Sequence, residues 1–103
     1  MDLYHVTPKV NREYIRKQGL RLTHSLGKTR KIWFATWLLL PWAWRHVAKH
    51  QGNDLDELSC FRFRLTRGLL QRRRSGIWIA HCDIPASTIV GEFTFKHFKH
   101  FFL

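Results

Sequence analysis

Three residues of this sequence have side chains that could take part in binding or catalysis. His5 and Thr7 lie two positions apart near the start of the chain, and Glu92 lies near its other end. A neutral imidazole donates one hydrogen bond and accepts another, which suits the hydroxyl groups of a ligand. A carboxylate stabilises positive charge that develops in a reacting group and orients an attacking hydroxyl group. His5 is therefore a candidate for binding and catalysis, and Glu92 a candidate for charge stabilisation.

Each of these residues also has an explanation that requires no ligand. Thr7 precedes Pro8, and a threonine before a proline is typical of a helix start, where its side chain caps free N–H groups. Glu92 would also fit the exposed side of a strand. Capping does not explain His5. Its ring either binds a ligand or makes its hydrogen bonds within the fold.

Charge is the strongest signal in the composition. Eighteen Lys and Arg residues stand against seven Asp and Glu residues, which gives a formal net charge of +11. A field of this sign attracts polyanions. We therefore predict that nucleic acid or another phosphate-rich ligand is a partner. The alternative is a basic protein that binds no polyanion and whose charge serves only to keep it in solution.

The basic residues form two clusters that could contact phosphate. Arg suits phosphate because its planar guanidinium forms paired hydrogen bonds. A run of charges is also common on surfaces that bind nothing, so both interpretations stay open. The first cluster precedes residue 32 and the second follows residue 71; they contain Lys28, Arg30 and Lys31, and Arg72, Arg73 and Arg74.

The cysteines and the longest apolar run exclude some classes of protein. Cys60 and Cys82 show neither a CxxC motif nor zinc spacing, so no metal is expected. With no signal peptide, we expect reduced thiols in a cytoplasmic protein, and a disulfide between them stays the alternative. The apolar run 32–44 is shorter than the ~20 residues that span a bilayer. We expect no membrane association.

The first elements must position His5 and Thr7. Residues 2–6 predict a strand that runs directly into a helix, with Thr7 as its cap and Pro8 in its first turn. Gly19 suits the left-handed residue that follows the helix. The helix carries an apolar stripe at Val10, Tyr14 and Ile15.

The remaining pattern predicts one α+β domain over residues 1–103, with a mostly antiparallel sheet. Residues 32–35 are continuously apolar, which predicts a central strand buried on both faces. A second helix should run from Pro41 to about His50. Residues 66–75 read as a basic segment, and 96–103 as a basic aromatic tail. Further strands are predicted at 60–65, 77–80 and 89–95.

This order of elements resembles the ADP-ribosyltransferase-like fold, which poly(ADP-ribose) polymerases, diphtheria-type toxins and RNA 2′-phosphotransferases share. A strand with His-x-Thr is followed by a helix that ends in Gly-Leu. The later Ile32-Trp33-Phe34-Ala35 is similar to the Ile-Tyr-Phe-Ala strand of the family. The resemblance implies a minimal member of the fold, with a split or curved sheet and two helices.

The resemblance also implies roles for particular residues. With NAD+ as substrate, His5 would hold the nicotinamide ribose beside Thr7, and Trp33 would replace the tyrosine that stacks on nicotinamide. Glu92 would be the catalytic glutamate. Arg30 would meet the pyrophosphate. The acceptor strand would contact Lys28, Lys31, Arg72, Arg73 and Arg74.

The implied activity is ADP-ribosyl transfer from NAD+ to a nucleic-acid or nucleotide acceptor. One alternative is a non-catalytic module that binds nucleic acid or nucleotide on the same fold. Another is RNA 2′-phosphotransfer, which also uses NAD+ and would depend on basic residues more than on Glu92. A small toxin or defence factor would use the same chemistry as the first.

Overall fold

The computed structural model describes residues 1–22 and 31–98. Its strands are β1 (Asp2–Pro8), β2 (Ile32–Ala35), β3 (Leu58–Arg64), β4 (Leu70–Arg74), β5 (Ile77–Ala80) and β6 (Ile89–Thr94). Its helices are α1 (Arg12–Gln18), α2 (Leu40–Gln51) and α3 (Phe95–Phe98). The strands form one six-stranded sheet in the order β4-β5-β2-β1-β3-β6, with antiparallel neighbours. The predicted α+β class and antiparallel sheet are confirmed, and α3 is a single turn beyond the two predicted helices.

The sheet is joined unevenly at its centre. β1 pairs with β3 along its whole length, from Asp2 opposite Arg64 to Pro8 opposite Leu58. By contrast, β1 and β2 are joined in the described chain by one residue pair, Tyr4 opposite Ala35. Beyond that pair the end of β1 and the start of β2 are not paired and separate, so one residue pair joins the two halves of the sheet.

Each face of the sheet carries its own apolar layer. Because side chains alternate along a strand, Leu3 and Tyr4 belong to opposite layers. The first layer packs under α1 through Ile15, and the second packs under α2 through Trp44. Trp44 is fully buried, and its indole Nε1 donates a 2.8 Å hydrogen bond to the Leu55 carbonyl oxygen.

The start of the first helix differs from the prediction. β1 continues through Thr7 and Pro8, which pair with Ser59 and Leu58 in the β3 ladder. Residues 9–11 form a 3-10 turn, and α1 begins only at Arg12. Thr7 is therefore not a helix cap, because strand pairing takes precedence over the local capping signal. His5 consequently lies in the middle of β1 and not at its end.

Two further predictions need correction. Val10, expected on the apolar stripe of α1, is 90% exposed because it lies in the 3-10 turn. The basic segment 66–75 contains the edge strand β4, whose three arginines are exposed. The sequence did not predict this strand, because an edge strand can carry charged side chains and need not show an apolar alternation.

Other elements agree with the sequence. α2 has Pro41 in its first turn and is followed by Gly52 in the left-handed conformation. Phe61, Phe63 and Leu65 are buried, as their alternation predicted. Of the predicted tail, α3 buries Phe98 in the layer beneath α2, whereas residues 99–103 lie outside the described part of the chain. Within residues 1–22 and 31–98, no helix combines the length and apolarity needed to cross a membrane.

Two glycines allow a matched test of packing at helix ends. Gly19 has a φ of 73°, and a Cβ there would lie 2.0 Å from the Ile84 carbonyl oxygen. Gly52 has a φ of 68°, but a Cβ there would meet nothing within 4 Å. We expect Gly19→Ala to lower the free energy of unfolding by about 3 kcal/mol or more, and Gly52→Ala by about 1 kcal/mol. Urea denaturation followed by Trp fluorescence measures both, and equal losses would contradict the close packing at Gly19.

Candidate functional site

A groove opens where β1 and β2 separate. It is lined by residues 4–8 of β1, by residues 31–35 around β2, and by parts of α1, α2 and β4. Its volume is about 980 Å³, which is within the range of small-molecule and cofactor sites. Three of the predicted binding residues line it, but from opposite faces of the sheet. His5 and Thr7 lie on the face of Leu3, under α1, whereas Trp33 alternates with Ile32 and Phe34 and lies on the α2 face.

His5 bridges the two strands at the point where they part. Its Nδ1 lies 2.8 Å from the carbonyl oxygen of Trp33. Since a carbonyl oxygen only accepts, Nδ1 carries the proton in this bond, and Nε2 of the neutral ring is an acceptor. Burial lowers the pKa of His5 below its usual value, and the bond to Trp33 only partly offsets this. The ring is therefore neutral at pH 7.

Thr7 and Trp33 line the groove in different ways. Thr7 is 5% exposed, and its Oγ1 accepts a 3.1 Å hydrogen bond from Asn11 Nδ2, which ties β1 to the following turn. Trp33 is 47% exposed, so the predicted burial of β2 on both faces is wrong at this residue. The Nζ of Lys31 lies 5.9 Å from the centre of the Trp33 ring. An exposed aromatic face beside a cation suits a planar anionic ligand.

A β-bulge divides the second basic cluster. Arg72 pairs with Trp78 and Arg74 pairs with Ile77, so one extra residue is inserted between them. Arg73 and Arg74 line the groove, whereas Arg72 is not among the lining residues. The predicted set of three arginines is thus separated, because a bulge changes the direction of side chains along a strand.

The groove is electropositive. Its charged lining residues in the described part of the chain are all basic, namely Arg21, Lys31, Arg73 and Arg74. Arg21 lies 3.8 Å from Asp83. The other ion pairs among the described residues join acidic groups to Arg16, Arg62 and Arg64, none of which lines the groove. The positive charge of Lys31, Arg73 and Arg74 is therefore available to an anionic ligand.

Glu92 lies on the same face of the sheet as His5, but outside the groove. His5 is opposite Phe61, and Phe61 is opposite Glu92, so the three form one row across β1, β3 and β6. Two strand spacings place the backbones of His5 and Glu92 about 10 Å apart. The Nε of Arg16 donates a 2.8 Å hydrogen bond to Glu92 Oε1, and the Nη2 of Arg16 donates to Glu92 Oε2. Arg16 on α1 therefore holds this carboxylate.

Two predicted residues have no placement. Lys28 and Arg30 lie in the segment 23–30, outside the described residues. Their expected contacts with phosphate and pyrophosphate stay predictions. Lys31, the third member of that cluster, lines the groove.

Sequence reasoning did not assign several lining residues to the site. Asn11, Tyr14 and Arg21 come from the turn, the helix and the segment that follow β1. From α2 come Trp42 and His46, whose rings stack at 4.8 Å with 22° between their planes. Their spacing of four residues was a usable signal, because residues i and i+4 lie on one side of a helix.

The cysteines do not take part in the groove, and the described residues form no metal site. Both cysteines are free thiols, and burial raises the pKa of Cys60. A buried thiol with a raised pKa is a poor nucleophile. Within residues 1–22 and 31–98, His, Cys, Asp and Glu do not gather in threes to form a metal site.

The chain was also compared with known proteins. No protein-family model and no curated protein matches it. The groove and the chemistry of its residues therefore carry the functional argument.

The lowered pKa of His5 predicts a pH dependence of stability. An unfolded histidine binds a proton near pH ~6.5, but the folded ring does so only at lower pH. Above about pH 6.5 the ring is neutral in both states, so it does not make the free energy of unfolding depend on pH. As the pH falls from about 6.5 to the lower folded pKa, the unfolded histidine takes up a proton that the folded ring does not, and stability is lost. We expect His5→Asn to make the free energy of unfolding less dependent on pH between about pH 7 and pH 5. The control His81→Asn changes an exposed ring that contacts Gln71.

Urea denaturation at several pH values tests this expectation. The control should retain the full dependence of the original protein. An equally steep dependence in the His5→Asn protein would show that burial of this ring does not control its charge.

Proposed function

We propose that the protein binds a nucleotide ligand in the groove, with NAD+ or nucleic acid as the source of the phosphate. The observation that carries this proposal is the charge of the groove: in the described chain its charged lining residues are all basic. Such a site attracts phosphate and disfavours cations. A volume of about 980 Å³ accommodates a dinucleotide-sized ligand.

The residues near the separation of β1 and β2 have complementary chemistry. The Nε2 of His5 accepts a hydrogen bond from a ribose hydroxyl, since its Nδ1 donates to the backbone of Trp33. Trp33 offers a half-exposed ring for a base or a nicotinamide. Lys31, beside that ring, supplies charge to a phosphate. The roles of His5 and Trp33 are those that the resemblance to ADP-ribosyltransferase-like proteins implies.

Binding is tested by calorimetry with NAD+, with ADP-ribose and with a short oligonucleotide. We expect Lys31→Gln to weaken binding about tenfold, because a charge-assisted hydrogen bond contributes about 1.5–3 kcal/mol. Lys17→Gln is the matched control, since Lys17 is an exposed residue of α1 that does not line the groove. Binding should also weaken as salt is added.

Either of two results would overturn the proposal. One is the absence of binding to all three ligands. The other is an equal effect of the two lysine substitutions, which would show that net charge, and not the groove, attracts the ligand.

A second candidate function is ADP-ribosyl transfer from NAD+ to a nucleic acid or nucleotide. It is supported by the contact of His5 with Trp33 at the groove and by the row that joins His5 to Glu92. In this reaction nicotinamide leaves with the electrons of the glycosidic bond. The ribose gains oxocarbenium character, and an acceptor group attacks it and loses a proton. Glu92 would stabilise that charge only after release from Arg16.

Nicotinamide release in the presence of NAD+ and oligonucleotide tests the transfer. We expect Glu92→Gln to lower the rate about 100-fold or more, because it removes a charge that acts in the transition state. Arg16→Gln should raise the rate, since it frees the carboxylate. The control Glu13→Gln alters another partner of Arg16 without removing Glu92.

Retention of the full rate in the Glu92→Gln protein would exclude Glu92 as a catalytic residue. In that case transfer of a 2′-phosphate from RNA to NAD+ becomes the better candidate, because it would depend on the basic residues. Absence of any turnover, with nucleotide binding intact, would identify a binding module.

A further inference from the structure

The wall of the groove formed by α2 and β4 has an arrangement that the roles above do not use. Trp42 lies at the start of α2, and its ring stacks on His46 at 4.8 Å. The guanidinium carbon of Arg74 lies 4.8 Å from the centre of the same Trp42 ring. One indole therefore contacts both a guanidinium and an imidazole. Arg73, which precedes Arg74 in β4, also lines the groove.

The charges around His46 are all positive. His50 lies one turn further along α2, with its ring 4.2 Å from that of His46. Lys49 on the same helix and Arg74 on β4 also face it. Desolvation, followed by these positive neighbours, lowers the pKa of His46. The wall thus concentrates basic groups without a carboxylate among the described lining residues.

We propose that Trp42, His46, Arg73 and Arg74 form a second subsite, which binds a backbone phosphate of a single-stranded nucleic acid. This inference rests on the proposed function and specifies its ligand class. Arg73 and Arg74 contact the phosphate. Trp42 positions Arg74, since a guanidinium over an indole ring is held in a defined orientation.

Single-stranded nucleic acid fits better than a duplex because of the exposed ring of Trp33. Trp33 is 47% exposed and lines the groove, so its ring is open to a base, whereas the ring of Trp42 is stacked on His46 and covered by Arg74. Bases in a duplex are stacked on one another, whereas those of a single strand are free to stack on aromatic side chains. An exposed aromatic ring beside a cation, as Trp33 is beside Lys31, is the arrangement that such proteins use.

The subsite gives binding a distinctive pH dependence. A bound phosphate places negative charge beside His46, which raises the pKa of its imidazole in the complex. The complex therefore holds more protons than the free protein and ligand. By linkage, affinity for the strand rises as the pH falls through the range in which His46 titrates. His50, Lys49 and Arg74 oppose protonation of the ring in both states, and the bound phosphate offsets their effect in the complex.

The test uses fluorescence anisotropy with a short labelled single strand. We expect Arg74→Gln to weaken binding about tenfold and to reduce the slope of log affinity against log salt by about 0.7. Arg72→Gln is the matched control, because it removes the same charge from the same strand outside the groove lining. It should weaken binding less than about twofold. Arg74→Lys should fall between these two, since it keeps the charge but loses the planar group.

The pH dependence provides a second readout that a loss of packing would not produce. The affinity of the original protein for the strand should rise as the pH is lowered from about 7 to about 5, because the pKa of the free His46 ring lies below its usual value. His46→Gln should lose much of this rise, and the control His81→Gln should retain it. Circular dichroism spectra of the variants, matched to that of the original protein, establish that each is folded.

The possible results separate this subsite from the groove as a whole. If Arg74→Gln and Arg72→Gln weaken strand binding equally, the subsite is overturned and only general charge remains. If a duplex of the same length binds as tightly as the single strand, the ligand class is overturned. If ADP-ribose binds but no oligonucleotide does, the subsite fails while the nucleotide groove stands. If neither ligand binds, the proposed function fails as well.

Discussion

The separation of β1 from β2 is the constraint on which the rest of the structure depends. Both strands are firmly held on their outer sides, β1 by β3 and β2 by β5. They meet each other at Tyr4 and Ala35, and the described strands part beyond that pair. The Nδ1 of His5 donates to the Trp33 carbonyl oxygen at this point, and so satisfies a backbone acceptor that a strand partner would otherwise meet. One side chain thus stabilises the opening and also lines the groove that results.

The distribution of charge gives this opening its chemical character. Apart from Asp83, which pairs with the lining residue Arg21, the acidic side chains that form ion pairs in the described chain do so outside the groove: Asp2 with Arg62 and Arg64, and Glu92 with Arg16. These pairs are exposed or half-exposed, and each contributes little to stability. Their larger consequence is that they neutralise arginines away from the groove. Lys31, Arg73 and Arg74 of the groove are left to act on an anionic ligand.

Parts of the site could be predicted from the sequence because their signals are local. The residue types of His5 and Trp33 stand out within short apolar strands, and Lys31 directly precedes one of them. The position of Arg74 could not be predicted, because it depends on a bulge in the pairing of β4 with β5. The ion pair of Glu92 with Arg16 joins residues 76 positions apart, and neither has a local pattern that indicates the other. The predicted start of α1 was wrong, because Thr7 pairs with β3 and does not cap the helix.

The sequence by itself determined the α+β class, most strands, the extent of α2 and the strongly basic character of the protein. These follow from periodicity, from turn residues and from composition, which act over a few neighbouring residues. Only the tertiary structure decided which basic residues share a groove, which face of the sheet each strand residue occupies, and where Glu92 is held. Those outcomes depend on strand register, since a shift of one residue exchanges the two faces. His5 illustrates both: the sequence shows its residue type, but its contact with Trp33 exists only because two strands that are distant in the sequence meet and then separate.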